Sequence, residues 1–298
     1  MMSWAEFADR YSAARQMSED DLLFNYNGVL YPSSICYKDT FKMMDTFEVR
    51  KDDVLMTSYP KTGTIWILQL LNDMVFTVHN KPQPNYVPIL EIGSPQNFED
   101  INKMPSPRVI GTHVQMDSIP KSIFKNGAKI LVLLRNPKDT AVSCFHFYKS
   151  NPMLPTIDSW DDFFPYFLSG KVFWGSYFDY AAAWNKRADD KNVLIMIYEE
   201  MKEDLVAAVR KISTFFGMSL TEDQVDLIAH RGVFKNMKEK STGTYGEFGQ
   251  ALFRKGDVGD WKNHFSEAQS QAMDAKFQQC LAGTKVGERI KYNVYCKW

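Results

Sequence analysis

The sequence predicts an α/β protein of one domain, residues 1–298, with a central, mainly parallel sheet flanked by helices. Four short apolar runs read as strands buried on both faces: VLMTS at 54–58, RVIGT at 108–112, KILVLL at 129–134 and NVLIMI at 192–197. Segments of helical character separate them, the alternation expected of an open parallel sheet. No repeat, low-complexity tract or compositional break marks a linker, and a chain 45% apolar and 24% charged can bury a substantial core.

Along the chain, MMSWAEFADRYSAARQM mixes charge with aromatics and lacks the apolar centre of a signal peptide, so it reads as a short amphipathic helix. After the first strand, Ile65 to Val78 is apolar nearly all round, as a helix packed on a sheet would be. Residues 79–108 hold six of the thirteen prolines and read as a long surface loop. Helices are expected at Lys138–Lys149, Trp160–Leu168 and Ser176–Lys186. Thr221 and Gln224 fit a capping box that opens a helix from Glu222 to His230. Residues 232–259 hold six glycines and read as a second long loop, a feature that is usually functional in a compact domain.

Net charge is −1, so nothing global points to nucleic acid or an acidic membrane surface. No apolar run approaches the ~18 residues of a membrane span. Cys36, Cys144, Cys280 and Cys296 form no metal-ligand pair such as C-x-x-C and read as free thiols of a reducing cytosol.

Three motifs carry chemistry. YPKTGTIW (59–66) ends a strand in a glycine turn and opens a helix, so unpaired amides and the helix dipole favour a phosphate there. Lys61 adds a mobile cation, Thr62 and Thr64 add hydroxyls, and Trp66 offers a flat face to a base. The nucleotide-hydrolase pattern differs, since Lys61 precedes Gly63 and no earlier glycine exists. In LLRNPKDTAVSCFHFYK (133–149), Arg135 presents a planar fork of donors, Pro137 suits a first helical turn and Ser143 lies two turns on. In LFRKGDVGDWKNHF (252–265), Arg254 and Lys255 stand beside Gly256, whose backbone can approach a ligand closely. From 231 to 256 six cations face only Glu239 and Glu247, a local excess in a near-neutral chain.

YPKTGTIW, RNPKDTAVS and RKGDVGDWKNHF resemble, in order and spacing, the signature segments of the cytosolic sulfotransferases, and the resemblance runs through nearly the whole chain. SWDDFF and GSYFDYAAAWNK resemble one vertebrate subfamily of these enzymes. The resemblance implies 3′-phosphoadenosine 5′-phosphosulfate as co-substrate, adenosine 3′,5′-bisphosphate as product, no metal, a P-loop-like phosphosulfate-binding loop and a cytoplasmic protein. Lys61, Thr62, Gly63, Thr64 and Trp66 would surround the 5′-phosphosulfate, with Trp66 stacked on the adenine. Arg135, Ser143, Arg254, Lys255 and Gly256 would hold the 3′-phosphate, Tyr198 would lie beside the nucleoside, and Phe234 would cover the adenine's other face. His113 would be the general base and Lys61 would stabilise the leaving phosphate. Of five histidines, His113 alone closely follows a predicted strand end, where ligands of open α/β sheets collect.

The implied acceptor is a small apolar or phenolic molecule, iodinated and thyroid-hormone-like phenols included. Phe145, Phe147, Tyr148, Phe173, Trp174 and Phe178 are candidates for its pocket walls, and core packing explains any one of them equally well. Some positions depart from the family. Gly111 stands where most relatives carry a lysine. Gly232 and Val233 replace hydroxyl residues, and Ile65 replaces a threonine. The family's dimer motif falls on Lys262, Ser266–Glu267 and Gln271, where a glutamate and a glutamine replace valine and glutamate, so a monomer or weak homodimer is expected. Two rival readings are a nucleotide-binding protein that has lost turnover, suggested by Gly111, and a P-loop kinase, which the absent G-K-[ST] disfavours.

Overall fold

A computed structural model describes residues 2–80 and 87–298. The strands among them are β1 (Leu23–Tyr26), β2 (Val29–Pro32), β3 (Val54–Ser58), β4 (Val109–Thr112), β5 (Lys129–Leu134) and β6 (Val193–Ile197). In chain order the helices are α1 (Trp4–Ala13), α2 (Lys38–Lys42), α3 (Thr64–His79), α4 (Gln96–Lys103), α5 (Ser122–Lys125), α6 (Pro137–Ser150), α7 (Trp160–Ser169) and α8 (Tyr177–Asn185). There follow α9 (Tyr198–Glu203), α10 (Leu205–Phe216), α11 (Glu222–Arg231), α12 (Phe234–Leu252), α13 (Glu267–Cys280), α14 (Lys285–Arg289) and α15 (Tyr292–Tyr295).

The central sheet is parallel, in the order β4-β3-β5-β6. Val54 faces Val109 on one side and Lys129 on the other, and Ile130 faces Val193. Side chains alternate between two cores, as the period of a strand requires. Leu55, Ile110, Ile130, Val132 and Leu134 point into the larger cluster with Ala141 of α6 and Trp184 of α8. Val54, Met56, Val109, Leu131 and Leu133 point the other way, onto Leu68, Leu71 and Met74 of α3. A sheet covered on both faces explains why its strands read as continuous apolar runs.

From β3 the chain crosses to β4 on one side and then to β5 on the other. The carboxyl ends of these strands therefore part at a topological switch point, where open α/β sheets bind ligands. At the opposite, amino end, Arg108 is fully buried and donates from Nε to Asp53 Oδ1 at 2.7 Å and from its second terminal nitrogen to Asp53 Oδ2.

Both expected long loops are corrected. In 79–108, residues 81–86 lie outside the described residues; the remainder contains α4, and 88–93 is mostly buried while 102–107 stays at the surface. Leu90 N donates to Gly111 O and Gly111 N to Pro88 O, both at 2.9 Å, so this segment lies along the outer edge of β4. In 232–259 the chain forms α12, broken only at Gly246, whose φ of 51° and ψ of −139° are non-helical. Glycines at 243, 246 and 249 lower helix propensity, but aromatic packing against α1 overrides that local cost. The hairpin of β1 and β2 was missed, although Asn27–Gly28 between the two strands, both at positive φ, is a strong hairpin signal. The amphipathic amino-terminal helix is present as α1, capped by Ser3, whose side chain accepts from Glu6 N. All four cysteines are free, and Thr221 with Gln224 forms the expected capping box.

Candidate functional site

Each central strand delivers one conspicuous side chain at or just beyond its carboxyl end. Lys61 follows β3, His113 follows β4, Arg135 follows β5 and Tyr198 follows β6. All four line one cavity of about 1400 Å³, large enough for two ligands of ordinary size.

The turn after β3 has Lys61 at φ 69° and Gly63 at φ 110°. A non-glycine residue held in the left-handed region is a strain typical of ligand clamps. Gly63 is required as well as permitted, because a Cβ there would come within 3.0 Å of the Tyr198 ring. The first helical hydrogen bond of α3 runs from Ile67 N to Gly63 O, which leaves the amides of residues 64–66 to whatever lies above the turn. Thr64 donates to or accepts from Ser58 Oγ at 2.7 Å and lines the cavity. Thr62 does not line it: its buried hydroxyl donates to Tyr59 O at 2.7 Å and serves the turn itself.

Lys61 Nζ donates to Ala251 O at 2.9 Å and stands 4.2 Å from the centre of the Phe147 ring. The residue retains some exposure, but its ammonium group is desolvated. That burial, with Arg135 and Arg254 nearby, lowers its pKa to about 7.

His113 is buried, with Nδ1 2.8 Å from Ser58 O. A carbonyl only accepts, so Nδ1 carries the proton and Nε2 keeps its lone pair. Burial depresses the imidazole pKa below 6.5, and the negative charge of Glu91 opposes that shift. Glu91 is fully buried. It accepts from His113 N at 2.8 Å, Thr112 Oγ1 at 2.8 Å and Trp174 Nε1 at 3.3 Å. Sequence reading missed this residue. Its signal was a single carboxylate in the apolar string ILEIG, inside a stretch taken for surface loop.

Arg135 is 7% exposed. It donates to Lys61 O at 3.3 Å and Asp257 O at 2.9 Å, and its ring of donors lies 4.5 Å from the centre of Tyr198. Among the described residues no carboxylate bonds it directly, although the charge of Arg135 acts on buried Glu199 through space, and its Nε is buried without a partner. Asn136 caps α6 by accepting from Asp139 N at 2.8 Å. Asp139 in turn accepts from Gly259 N at 2.7 Å and Trp261 N at 3.0 Å, which brings the 254–261 segment to the end of β5. Arg254 and Lys255 then lie beside Arg135 and Ser143 on the cavity wall. Both basic side chains are held by Asp260, at 2.5 and 2.6 Å. Burial works against the Asp260 charge, but these bonds keep its carboxyl well below the usual range.

The aromatic side is formed by Trp66, Tyr198 and Phe234. Trp66 Nε1 donates to Gly232 O at 2.7 Å, and its ring meets Tyr198 edge-on at 5.2 Å. Gly256, at φ 72°, lies against Phe234 so closely that a Cβ would sit 2.5 Å from the ring. Tyr198 OH donates to Gly256 O at 3.1 Å. The structure thus brings together every sequence-predicted site residue except Thr62. Of the six expected pocket aromatics, Phe147, Phe173 and Trp174 line the cavity. Phe145, Tyr148 and Phe178 are corrected to core. The cavity face of α6 carries 143 and 147 and is continued by 151 just past its end, so 145 and 148 point inward, Phe145 onto Trp160 and Phe163, and Phe178 packs on Tyr177.

The residues fit a doubly phosphorylated nucleotide. Lys61 sits at the glycine turn and a cation cluster, Arg135, Arg254 and Lys255, at the end of β5, with the rings of Trp66, Tyr198 and Phe234 in the same cavity, and the unpartnered Arg135 Nε needs an acceptor. A separate trio, His146, Asp260 and His264, has ligand atoms within 4.8 Å of one another. Arg254 and Lys255 already hold Asp260 and repel any further cation.

Comparison with known proteins agrees. Residues 51–285 match the sulfotransferase domain. Sulfotransferase 6B1 of Mus musculus is 47% identical over 290 residues, covering 97% of this chain and 95% of the relative. The Homo sapiens protein of the same name is 46% identical, covering 95% and 94%. A crystal structure of mouse sulfotransferase SULT7A1 complexed with PAP superimposes with a TM-score of 0.83 at 32% identity, covering 93% of this chain and all of that one.

Proposed function

The chain belongs to the sulfotransferase family, and from that premise we propose that it moves a sulfuryl group from 3′-phosphoadenosine 5′-phosphosulfate to a hydroxyl of a small apolar or phenolic acceptor, thyroid-hormone-like phenols among the candidates. The observation that carries this reading is the cavity in which Lys61, Arg135, Arg254 and Lys255 meet His113 and the rings of Trp66, Tyr198 and Phe234.

When bound, the donor supplies the sulfuryl group, whose S–O bond to the 5′-phosphate breaks in line as the acceptor oxygen bonds to sulfur. His113 Nε2 takes the acceptor's proton; its burial keeps it neutral near pH 7, and the Nδ1 bond to Ser58 O fixes the tautomer. Glu91 holds the His113 backbone and thereby aims the ring. Lys61 Nζ stabilises the negative charge that develops on the leaving phosphate, with the amides of residues 64–66. Arg135, Ser143, Arg254, Lys255 and Gly256 grip the 3′-phosphate, and Arg254 and Lys255 exchange Asp260 for it. Trp66 and Phe234 hold the base, with Tyr198 at the nucleoside. Positioning and electrostatics do most of the catalysis, and no step calls on a metal.

The reading extends to a cytoplasmic protein, supported by four cysteines free of disulfides. No helix among the described residues is long and apolar enough to cross a membrane. Self-association through 262–271 would be weak, since Glu267 and Gln271 are exposed and bond to each other at 3.3 Å. Gly111 favours a second reading, binding with little turnover, because the lysine of most relatives is absent.

Adenosine 3′,5′-bisphosphate at ~100 times its Kd should add ~2.7 kcal/mol to stability in a thermal-shift assay. Transfer of labelled sulfate to a panel of phenols tests the chemistry. Binding with no transfer to any acceptor would select the second reading, and no binding would sink both.

A further inference from the structure

Helix α1 lies outside the strand ends that organise the site, yet Trp4 and Phe7 line the same cavity as His113. A row of rings connects them to the reacting end. Phe147 lies 4.2 Å from Lys61 Nζ, Phe248 of α12 lies 6.0 Å from Phe147, Phe7 lies 4.8 Å from Phe248, and Trp4 stacks on Phe7 at 4.8 Å. Trp4 also meets Tyr245 edge-on at 5.1 Å, and Tyr245 OH accepts from Gln69 of α3 at 2.9 Å.

The helix is fastened to the segments around the cavity mouth. Arg10 donates to Ser34 O just after β2 at 3.3 Å, and Tyr11 OH to Ser150 O at the end of α6 at 3.2 Å. Arg15 pairs with Glu247 of α12 at 2.7 Å. Met2 is buried beside Gly93, two residues past Glu91. These contacts fix the position of α1 and leave Trp4 and Phe7 facing the cavity.

We propose that helix α1 is a wall of the acceptor compartment, and that Trp4 and Phe7 are specificity-determining residues favouring acceptors longer than one ring. The proposal rests on the sulfotransferase reading above. On this reading a single phenol held at His113 stops short of α1, because Phe147 and Phe248 stand between Lys61 and Phe7 in the row. An acceptor with a second apolar ring continues along Phe248 and reaches Phe7 and Trp4, where ring-on-ring contact adds affinity beyond area burial. Nucleotide binding in that reading depends on residues at the strand ends, on Trp66 and Phe234 and on 254–256, none of which α1 supplies.

The test compares 4-phenylphenol with phenol on wild type, Trp4→Ala and Trp4→Phe, by calorimetry on bisphosphate-saturated protein and by KM in the transfer assay. Trp4→Ala should weaken 4-phenylphenol about tenfold, leave phenol and the bisphosphate within about twofold, and be largely rescued by Trp4→Phe. Equal losses for both phenols, or none, would overturn the proposal. Loss of bisphosphate binding in Trp4→Ala would also overturn it, because α1 would then be a scaffold for the whole site. Calorimetry needs no turnover, so a wild type that binds 4-phenylphenol without transferring sulfate would fail the parent reading while the wall is still judged by Trp4→Ala.

Discussion

Two buried arginines mark opposite ends of the central sheet. Arg108 precedes β4 at the amino edge, and its guanidinium is enclosed by both oxygens of Asp53, the carbonyls of Glu48 and Ile101 and the side chain of Asn102. Arg135 follows β5 at the carboxyl edge, meets two carbonyls and no carboxylate, and keeps a buried Nε without a described partner. The residue type and burial are alike; the difference is whether a carboxylate bonds the guanidinium directly, as Asp53 does for Arg108, or acts on it only through space, as buried Glu199 does for Arg135. Where it does, the arginine ties loops to strands. Where it does not, a buried donor is left for the anion that the proposed function would bring.

The comparison is strongest if the two arginines fail in different ways. Arg108→Ala leaves Asp53 buried and unpaired, and breaking such a pair costs about 3–5 kcal/mol, so chemical denaturation should show a large loss of stability. A variant as stable as wild type would remove the amino edge from this account. His113→Ala should reduce transfer by about 10²–10⁴ with bisphosphate affinity kept, read by initial rates beside calorimetry. Equal loss of both would make His113 structural. Arg135→Ala should hardly change the melting temperature of the empty protein but cost about 1.5–3 kcal/mol in bisphosphate binding, the range for hydrogen bonds to charged groups. If it unfolds like Arg108→Ala, the contrast between the edges is lost.

The smallest effect is set by pH. Lys61 has a pKa of about 7 in the empty protein and is restored to its charged form by a bound anion. Below pH 7 it is already protonated and affinity should be flat. Above pH 7 binding must take up a proton, so bisphosphate Kd should rise up to about tenfold per pH unit. Lys61→Arg should abolish that slope, and a flat profile in wild type would show that the ammonium is solvated. On the acid side kcat/KM should fall only below pH 6.5, as the depressed His113 becomes protonated and can no longer accept a proton.

The strands and their terminal cations were legible in the sequence, because fully buried parallel strands are continuous apolar runs and Lys61 and Arg135 interrupt them abruptly. The neighbours of those cations were less legible. Glu91 acts across a long sequence separation, and nothing local in ILEIG says which imidazole it will meet; Asp260 meets Arg254 and Lys255 only five and six residues away, but whether it holds them or leaves them free depends on how the turn folds. Phe145, Tyr148 and Phe178 could not be sorted from Phe147, Phe173 and Trp174 by type; only the facing of α6 and α8 separates them. Helix α12 was hidden by its glycines, since its stability comes from Trp4, Phe7 and Tyr11 more than two hundred residues away.

Asp260 gives the empty protein its own stand-in anion. Two of the cations that would seize a 3′-phosphate are already engaged, so a single-ended anion binding at that end would have to evict a carboxylate for little return. A molecule with an anionic group at each end gains Lys61 at one end while it displaces Asp260 at the other. If the proposed function holds, the pocket would favour a bivalent molecule over simpler ions before it reads the base.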